Sequence, residues 1–535
     1  MSISITEKNQ FVGRCSFSLK NNLLALATLL VISGETAMLA AGLDITATRS
    51  NLQIRVSAIP APLSIVELTP DRHLRELGTA PALAKIGAGG PQTVVLPRFD
   101  QGRDRIYSAF AAVQRDVVEG SSLRHVTHFQ NVAAQNEGFP PALSKKGLQV
   151  QMVDDAIALG VKHAALNVNL ATLVDLKGNT NNPFLEMDGR TYYFHRRAVE
   201  GIPVKKLNDA GMVVTFILLN YANSDPQIRR VMTHPDYDTA CSGKISAFNL
   251  TNPESLGWYE AALEFLANRF SSSSSPHGRV ANYIIGNEVN SHFEWYNLGK
   301  APVEKVVQEY EKAVRVANTA VRKYSPSSRV YLSLEHHWNM AYTRDALKHC
   351  PGKRFLEYFN QIATEQGNYD WNLAFHPYPE NLFNPRTWRD KTALPTQDSP
   401  RITFKNLDQL TSWFQQPENL YEAKPRHIIL SEQGFHSSDK PDGELYQAAG
   451  YCYAWYKVQH LSGIDSFILH RHVDNKGEGG LNLGLWTRKS ESGATPDKKK
   501  KIYEVFRAAD TPGWEPAFEF AKPVIGISNW NQILQ

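Results

Sequence analysis

From about residue 120 onward the chain repeats one pattern: a short unbroken apolar run, one or two polar residues, then a longer stretch with an apolar residue every three or four positions. Unbroken apolar runs of this length read as strands buried on both faces of a parallel sheet, and the stretches between them as helices that cover it. The candidate strands are His163 to Leu170, Val213 to Tyr221, Asn282 to Glu288, Arg329 to Glu335, Trp371 to His376, Arg426 to Glu432 and Ile464 to His470, with an eighth expected near Arg124 to Gln130. Helical patterns lie at Leu148 to Leu159, Glu254 to Phe270, Val303 to Tyr324 and Leu445 to Leu461, the last stopped by Ser462 and Gly463. Such alternation folds into a closed barrel or a doubly wound sheet. No glycine-rich phosphate loop follows any strand, which disfavours the nucleotide-binding doubly wound option. The expected fold class is α/β, a (β/α)₈ TIM barrel over residues 120–535 that includes a C-terminal extension.

Residues 43–119 differ. Short alternating stretches broken by Pro and Gly, such as Leu52-Gln53-Ile54-Arg55-Val56, predict a small β-rich N-terminal module. Residues 1–42 differ again: Lys8, Arg14 and Lys20 precede the apolar run Leu23 to Ile32, and Ala40, Ala41 and Gly42 follow. That order predicts a secretory signal peptide, a secreted or periplasmic protein, and no stable membrane insertion once the segment is removed. Glu35 cuts the run short of the ~20 apolar residues a spanning helix needs. Cys241, Cys350 and Cys452 allow at most one disulfide, so the fold rests on its core. With 57 basic and 53 acidic residues, no strong field argues for a nucleic-acid partner.

The working residues of a barrel stand at the C-terminal ends of its strands. Here Tyr283-Ile284-Ile285 leads into Gly286-Asn287-Glu288, and Ile428-Ile429-Leu430 into Ser431-Glu432. Between them Leu373-Ala374-Phe375 leads into His376-Pro377-Tyr378, and later Phe467-Ile468-Leu469 into His470-Arg471-His472. A carboxylate directly after an apolar strand is costly unless water, a partner or a substrate reaches it. Glycosidic cleavage needs two carboxyl groups, one to protonate the leaving oxygen and one to attack or to direct water. Counted back from a strand eight at Ile464 to His470, Glu432 ends strand seven, His376 strand six, and Glu288 strand four.

In that placement the chain resembles the clan A glycoside hydrolases, retaining (β/α)₈ glycosidases, and among them one of the bacterial families of unknown function. The resemblance implies that Glu288, preceded by Asn287, is the acid/base, and that Glu432 is the nucleophile. It also implies that His376 and Tyr378 hydrogen-bond that nucleophile and hold it ionised. Facing carboxyl groups roughly 5 to 5.5 Å apart are expected, with the charge of Glu432 raising the pKa of Glu288. Two features depart from the clan pattern: Asn167-Val168-Asn169 and His470-Arg471-His472 stand where many members carry an Arg and a Trp. Trp295, Trp338 and Trp486 are the candidate sugar platforms, and His337 and His470 further pocket residues. A carbohydrate substrate is expected, with no cofactor and no metal.

Two rival classes remain. Clustering of His336, His337, His376, His470 and His472 near strand ends suits a metal-dependent barrel hydrolase, although no H-E-x-x-H spacing is present. A non-catalytic carbohydrate-binding barrel is the other.

Overall fold

The computed structural model describes residues 42–534 other than 58, 60, 61, 115, 116 and 119–122. Apart from Gly42, the expected signal segment lies outside the described residues. Eight parallel strands close a barrel: β1 (Lys146–Gln149), β2 (His163–Asn169), β3 (Val213–Leu219), β4 (Val280–Ile285), β5 (Arg329–Glu335), β6 (Trp371–His376), β7 (Ile428–Gln433) and β8 (Ile464–Leu469), with β1 pairing both β2 and β8.

The first strand corrects the sequence reading. Arg124 to Gln130 is an irregular connection that bridges to the sheet of the N-terminal module between Arg124 and Phe110. The strand is instead Lys-Gly-Leu-Gln, where the sequence has no apolar run to announce it. Gly147 packs so tightly that a Cβ there would lie 2.7 Å from Ile468, and Lys146 is buried with its ammonium on the Ala509 carbonyl at 2.9 Å and Asp510 at 2.8 Å. Tertiary packing thus selects residues that strand propensity would not.

Side chains alternate along a strand, so every second residue of a barrel strand faces inward. A middle layer of Ala165, Ile217, Ile284, Tyr331, Ala374, Ile429 and Ile468 fills the interior with apolar groups, and Trp295 packs on it from the loop after β4. Two residues further toward the C-terminal ends, the same faces carry Asn167, Ser333, His376, Ser431 and His470. An apolar plug therefore supports a polar mouth.

The covering helices follow from their spacing. In α1 (Pro253–Arg269) the side chain of Asn252 accepts the amide of Ser255 at 3.0 Å and Pro253 opens the first turn, both strong start signals. In α2 (Val303–Tyr324) Val303, Val306, Val307, Tyr310, Ala313, Val314, Ala317 and Val321 form one buried stripe, which Ser325-Pro326 ends. Helix α3 (Gly443–His460) follows β7.

Before the barrel, among the described residues, lie two small antiparallel sheets and a two-stranded ribbon of Phe99–Asp100 with Arg103–Asp104. One orders Leu43–Ala47, Asn51–Val56 and Gln92–Pro97; the other Ala82–Ile86, Leu63–Leu68, Ala109–Gln114 and Val117–Val118. Residues 41–535 form one compact unit, and the core of the sheets is continuous with that of the barrel helices. Buried charges cross the junction. Asp104 accepts Arg98 at 2.8 and 2.5 Å and pairs with Lys323 of α2 at 2.9 Å, while Lys323 and the Tyr107 hydroxyl (2.5 Å) both reach Glu264 of α1. Cys241, Cys350 and Cys452 are free thiols. Among the described residues no helix is long and apolar enough to cross a membrane.

Candidate active site

Glu288 stands three residues past the end of β4, on a turn that the sequence builds with two left-handed residues. Gly286 has φ 75°, and a Cβ on it would meet the Tyr296 ring at 2.8 Å. Glu288 itself has φ 42°, which for a residue with a side chain costs on the order of 1 kcal/mol. The turn is anchored where the amide of Glu288 donates to Ser333 Oγ on β5 at 3.0 Å. The carboxyl thereby points over the barrel mouth and is only 13% exposed.

Glu432 reaches the same place by a different device. Strand alternation would aim Ser431 into the mouth and Glu432 away from it. Between Leu430 and Gln433 the pairing with β8 shifts by one residue, a bulge that re-aims the side chain. Oxygen atoms of Glu288 and Glu432 and a ring nitrogen of His376 all lie within 4.8 Å of one another. The Tyr378 hydroxyl donates to Glu432 Oε1 at 3.3 Å.

His376 lies near Glu432 but does not make the hydrogen bond to it that the resemblance implied. Its Nδ1 lies 2.8 Å from Glu288 Oε1, and its Nε2 lies 3.1 Å from Ser431 Oγ and 3.5 Å from Ser333 Oγ. Burial lowers the pKa of the imidazole, so the ring is neutral at pH 7. Burial, and after it the negative charge of Glu335, push the Glu288 carboxyl up to about 8. We assign the imidazole proton to Nε2, facing the two hydroxyls, which leaves Nδ1 to accept from protonated Glu288.

Glu335 ends β5 and was not singled out in the sequence, although it is a third strand-ending glutamate. It is buried and fully used: Asn290 Nδ2 donates at 2.6 Å and Ser291 Oγ at 3.1 Å to one oxygen, and the His337 amide at 2.9 Å and ring Nδ1 at 2.5 Å to the other. Burial opposes its ionisation, but the His337 and His336 contacts hold it down at about 2. Glu335 is thus a negative charge that raises the Glu288 pKa, a role the sequence assigned to Glu432, whose carboxyl oxygen also lies within 4.8 Å of that of Glu288.

Among the described residues two groups have ligand atoms close enough to hold a metal: Glu335 with His336 and His337, and Glu288 with His376 and Glu432. In the first, Arg401 donates to His337 Nε2 at 3.1 Å and His336 Nδ1 donates to the Tyr378 carbonyl at 3.0 Å. A guanidinium on one ring fits a hydrogen-bond network and opposes a cation there. In the second, both nitrogens of His376 already face partners.

The other expected residues divide. His470 lies at the mouth, with Nδ1 on Gln149 and Nε2 3.4 Å from Glu478; burial opposes its charge, but Glu432 and Glu478 raise its pKa. Gln149 Nε2 in turn donates to Asn167 at 2.9 Å, so a polar chain runs across the ends of β8, β1 and β2. Asn287 is half-buried, and its side chain has no hydrogen bond to another described residue. Trp295 closes the barrel interior from above, and His337 acts one step away through Glu335. Trp338 is a core residue at 0% exposure, edge-on to Trp413, with no face for a sugar. Trp486 donates to Asp155 at 2.8 Å and has Lys499 5.3 Å from its ring. His472, also on Asp155 at 2.9 Å, is fully buried. Both tie the loop after β8 to the helix after β1. Sequence reasoning also missed Tyr221 after β3, 40% exposed, and Glu478, whose carboxylate is held at about 2 against burial by His470 and Arg471.

The fold and site define a (β/α)₈ barrel with two glutamates converging at its C-terminal mouth, one of them kept protonated. The chain belongs to the family of unknown function DUF5722, whose sequence profile matches residues 138–533. No curated protein matches the chain in sequence. Among solved structures it is similar to a family 39 glycoside hydrolase from Bacteroides cellulosilyticus WH2, at 13% identity and TM-score 0.45 over 88% of this chain and 79% of that one. It is also similar to a β-glucosidase from Pyrococcus furiosus (15%, TM-score 0.45, 69% and 85%) and a family 1 β-glucosidase from Thermotoga maritima (12%, TM-score 0.40, 66% and 84%).

Proposed function

We propose that the protein is an exported glycoside hydrolase that cleaves an oligo- or polysaccharide with retention of configuration, Glu288 serving as acid/base and Glu432 as nucleophile. The observation that carries this reading is the approach of the two carboxyl groups, whose oxygens lie within 4.8 Å of one another. Retaining enzymes hold their carboxyl groups roughly 5 to 5.5 Å apart, whereas inverting ones leave roughly 6.5 to 9.5 Å for a water. Glu288, protonated below about pH 8, gives its proton to the leaving oxygen while Glu432 attacks the anomeric carbon. Glu288 then takes a proton from the water that releases the sugar. Asn287 stands ready for a sugar hydroxyl and Trp295 for a ring face, with His470 beside them at the mouth, held by Gln149 and Glu478.

The test is a panel of polysaccharides and aryl glycosides, with Glu432→Ala as the control for contaminating activity. Turnover lost in that variant supports the reading; no turnover on any substrate, or turnover that survives the substitution, opposes it. In Glu288→Ala, an aryl glycoside with a good leaving group should still glycosylate the enzyme, and azide should speed release. The ligand atoms of Glu288, His376 and Glu432 lie close enough for a metal-dependent hydrolase, although both ring nitrogens of His376 already have partners. Turnover unchanged by EDTA favours the carboxylate mechanism, and loss restored by a divalent cation favours the metal.

A further inference from the structure

The loops after β6 and β7 enclose a second cleft on the same face of the barrel, of about 430 Å³, lined by residues from Asn381 to Arg386 and from His436 to Tyr446. Nothing in the proposed chemistry uses it. Phe383 is 54% exposed on its wall, edge-on to His436 at 5.2 Å. A flat apolar ring on the wall of a pocket complements the C–H face of a sugar. Opposite charge is also lacking. Arg386 lies over the Tyr446 ring at 5.0 Å with its Nε held by Asn384 Oδ1 at 2.9 Å, so its outer N–H groups are fixed in place. Among the described residues neither Arg386 nor exposed Lys440 has an ion-pair partner, and Asp442 is the one carboxylate on the wall. Burial, and after it Lys500, keep His436 below its ordinary pKa, so the cleft holds two cations against one anion. A preset guanidinium fork matches a carboxylate or sulfate oxygen pair.

We propose that this cleft binds an anionic sugar residue of the glycan chain whose cleavage occurs at the mouth, its ring on Phe383 and its carboxylate or sulfate on Arg386 and Lys440. The proposal rests on the glycosidase reading for its link to cleavage, but the binding itself is tested separately. Affinity electrophoresis of the full chain, in the Glu432→Gln background so that the ligand survives, is run through gels containing dextran, dextran sulfate, polygalacturonate or alginate. Retention is expected with an anionic glycan and not with dextran, and Phe383→Ala and Arg386→Gln should each weaken it about 5- to 10-fold or more. Phe383→Ala leaves the net charge unchanged, so its loss separates the cleft from general attraction of polyanions. Retention by dextran sulfate alone names a sulfate, and by polygalacturonate or alginate alone a carboxylate. Equal retention of both variants and their parent, or no retention with any anionic glycan, overturns the cleft assignment even if the wild-type chain hydrolyses some sugar. Cleft-dependent retention without turnover on any glycan leaves the cleft standing and removes the glycosidase.

Discussion

The Nδ1 atom of His376 lies 2.8 Å from Oε1 of Glu288, and the same ring reaches Ser431 on the neighbouring strand at 3.1 Å. The imidazole thus fixes the carboxyl proposed as the acid, and it does so from β6, between the strands that carry the two glutamates. A group that only positions another should lower turnover without removing it. His376→Ala is expected to cut kcat about 10- to 100-fold with a smaller change in KM, and to displace the basic limb of the pH profile; steady-state kinetics across pH checks both.

The basic limb itself follows from Glu288. Its folded pKa is about 8, so it is protonated and competent as an acid below that value and loses competence as pH rises through it. Glu335, ionised above about pH 2, raises that pKa by its charge. Glu335→Gln removes the charge and retains one carbonyl oxygen, which can serve either Asn290 and Ser291 or His337. The descending limb of kcat/KM should therefore move to lower pH, costing several-fold in rate at pH 8 and little at pH 6. An unmoved limb would detach Glu335 from the acid.

Stability carries the same signature. The ordinary carboxyl value is 4.5 and the folded value about 8, so the folded state keeps a proton that the unfolded chain releases between those pH values. This group's contribution is fully present below pH 4.5 and is lost as pH rises through 8. Glu288→Gln abolishes the titration. The variant should match the parent near pH 4 and exceed it at pH 8 by on the order of a few kcal/mol in urea unfolding.

At the junction of module and barrel, Lys323 is the single ammonium that meets both Asp104 and Glu264. Removing it leaves buried Glu264 without its cation, while Asp104 keeps only Arg98. Lys323→Ala is expected to cost about 3 to 5 kcal/mol, seen as a lower urea midpoint with an unchanged slope. A cost below about 1 kcal/mol would mean that the charges are solvated.

Seven of the eight barrel strands were legible because short, mostly apolar segments alternate there with helical patterns, and both glutamates because each follows such a segment. The period of two also contains the polar layer: Ser333, Ser431 and Asn167 sit two residues beyond Tyr331, Ile429 and Ala165, a signal present in the sequence and open to anyone who counts inward faces. Other features lie beyond one-dimensional patterns. Strand β1 is chosen by the close contact of Gly147 with Ile468, which its own composition does not announce. A bulge aims Glu432, and no residue type encodes it. Trp338 and Trp295 are the same residue type, and only packing tells that one fills the core while the other covers the interior of the mouth. Glu335 was readable as a strand-ending acid, but its role depends on how Asn290, Ser291 and His337 surround it.

The central claim is that Glu432 attacks the sugar directly, and the anomer first released from an active substrate tests it most directly. Proton NMR of the earliest product, before mutarotation blurs it, should show the configuration of the substrate. An inverted product would mean that a water, placed by one carboxylate, performs the attack, and it would remove Glu432 from the role of nucleophile.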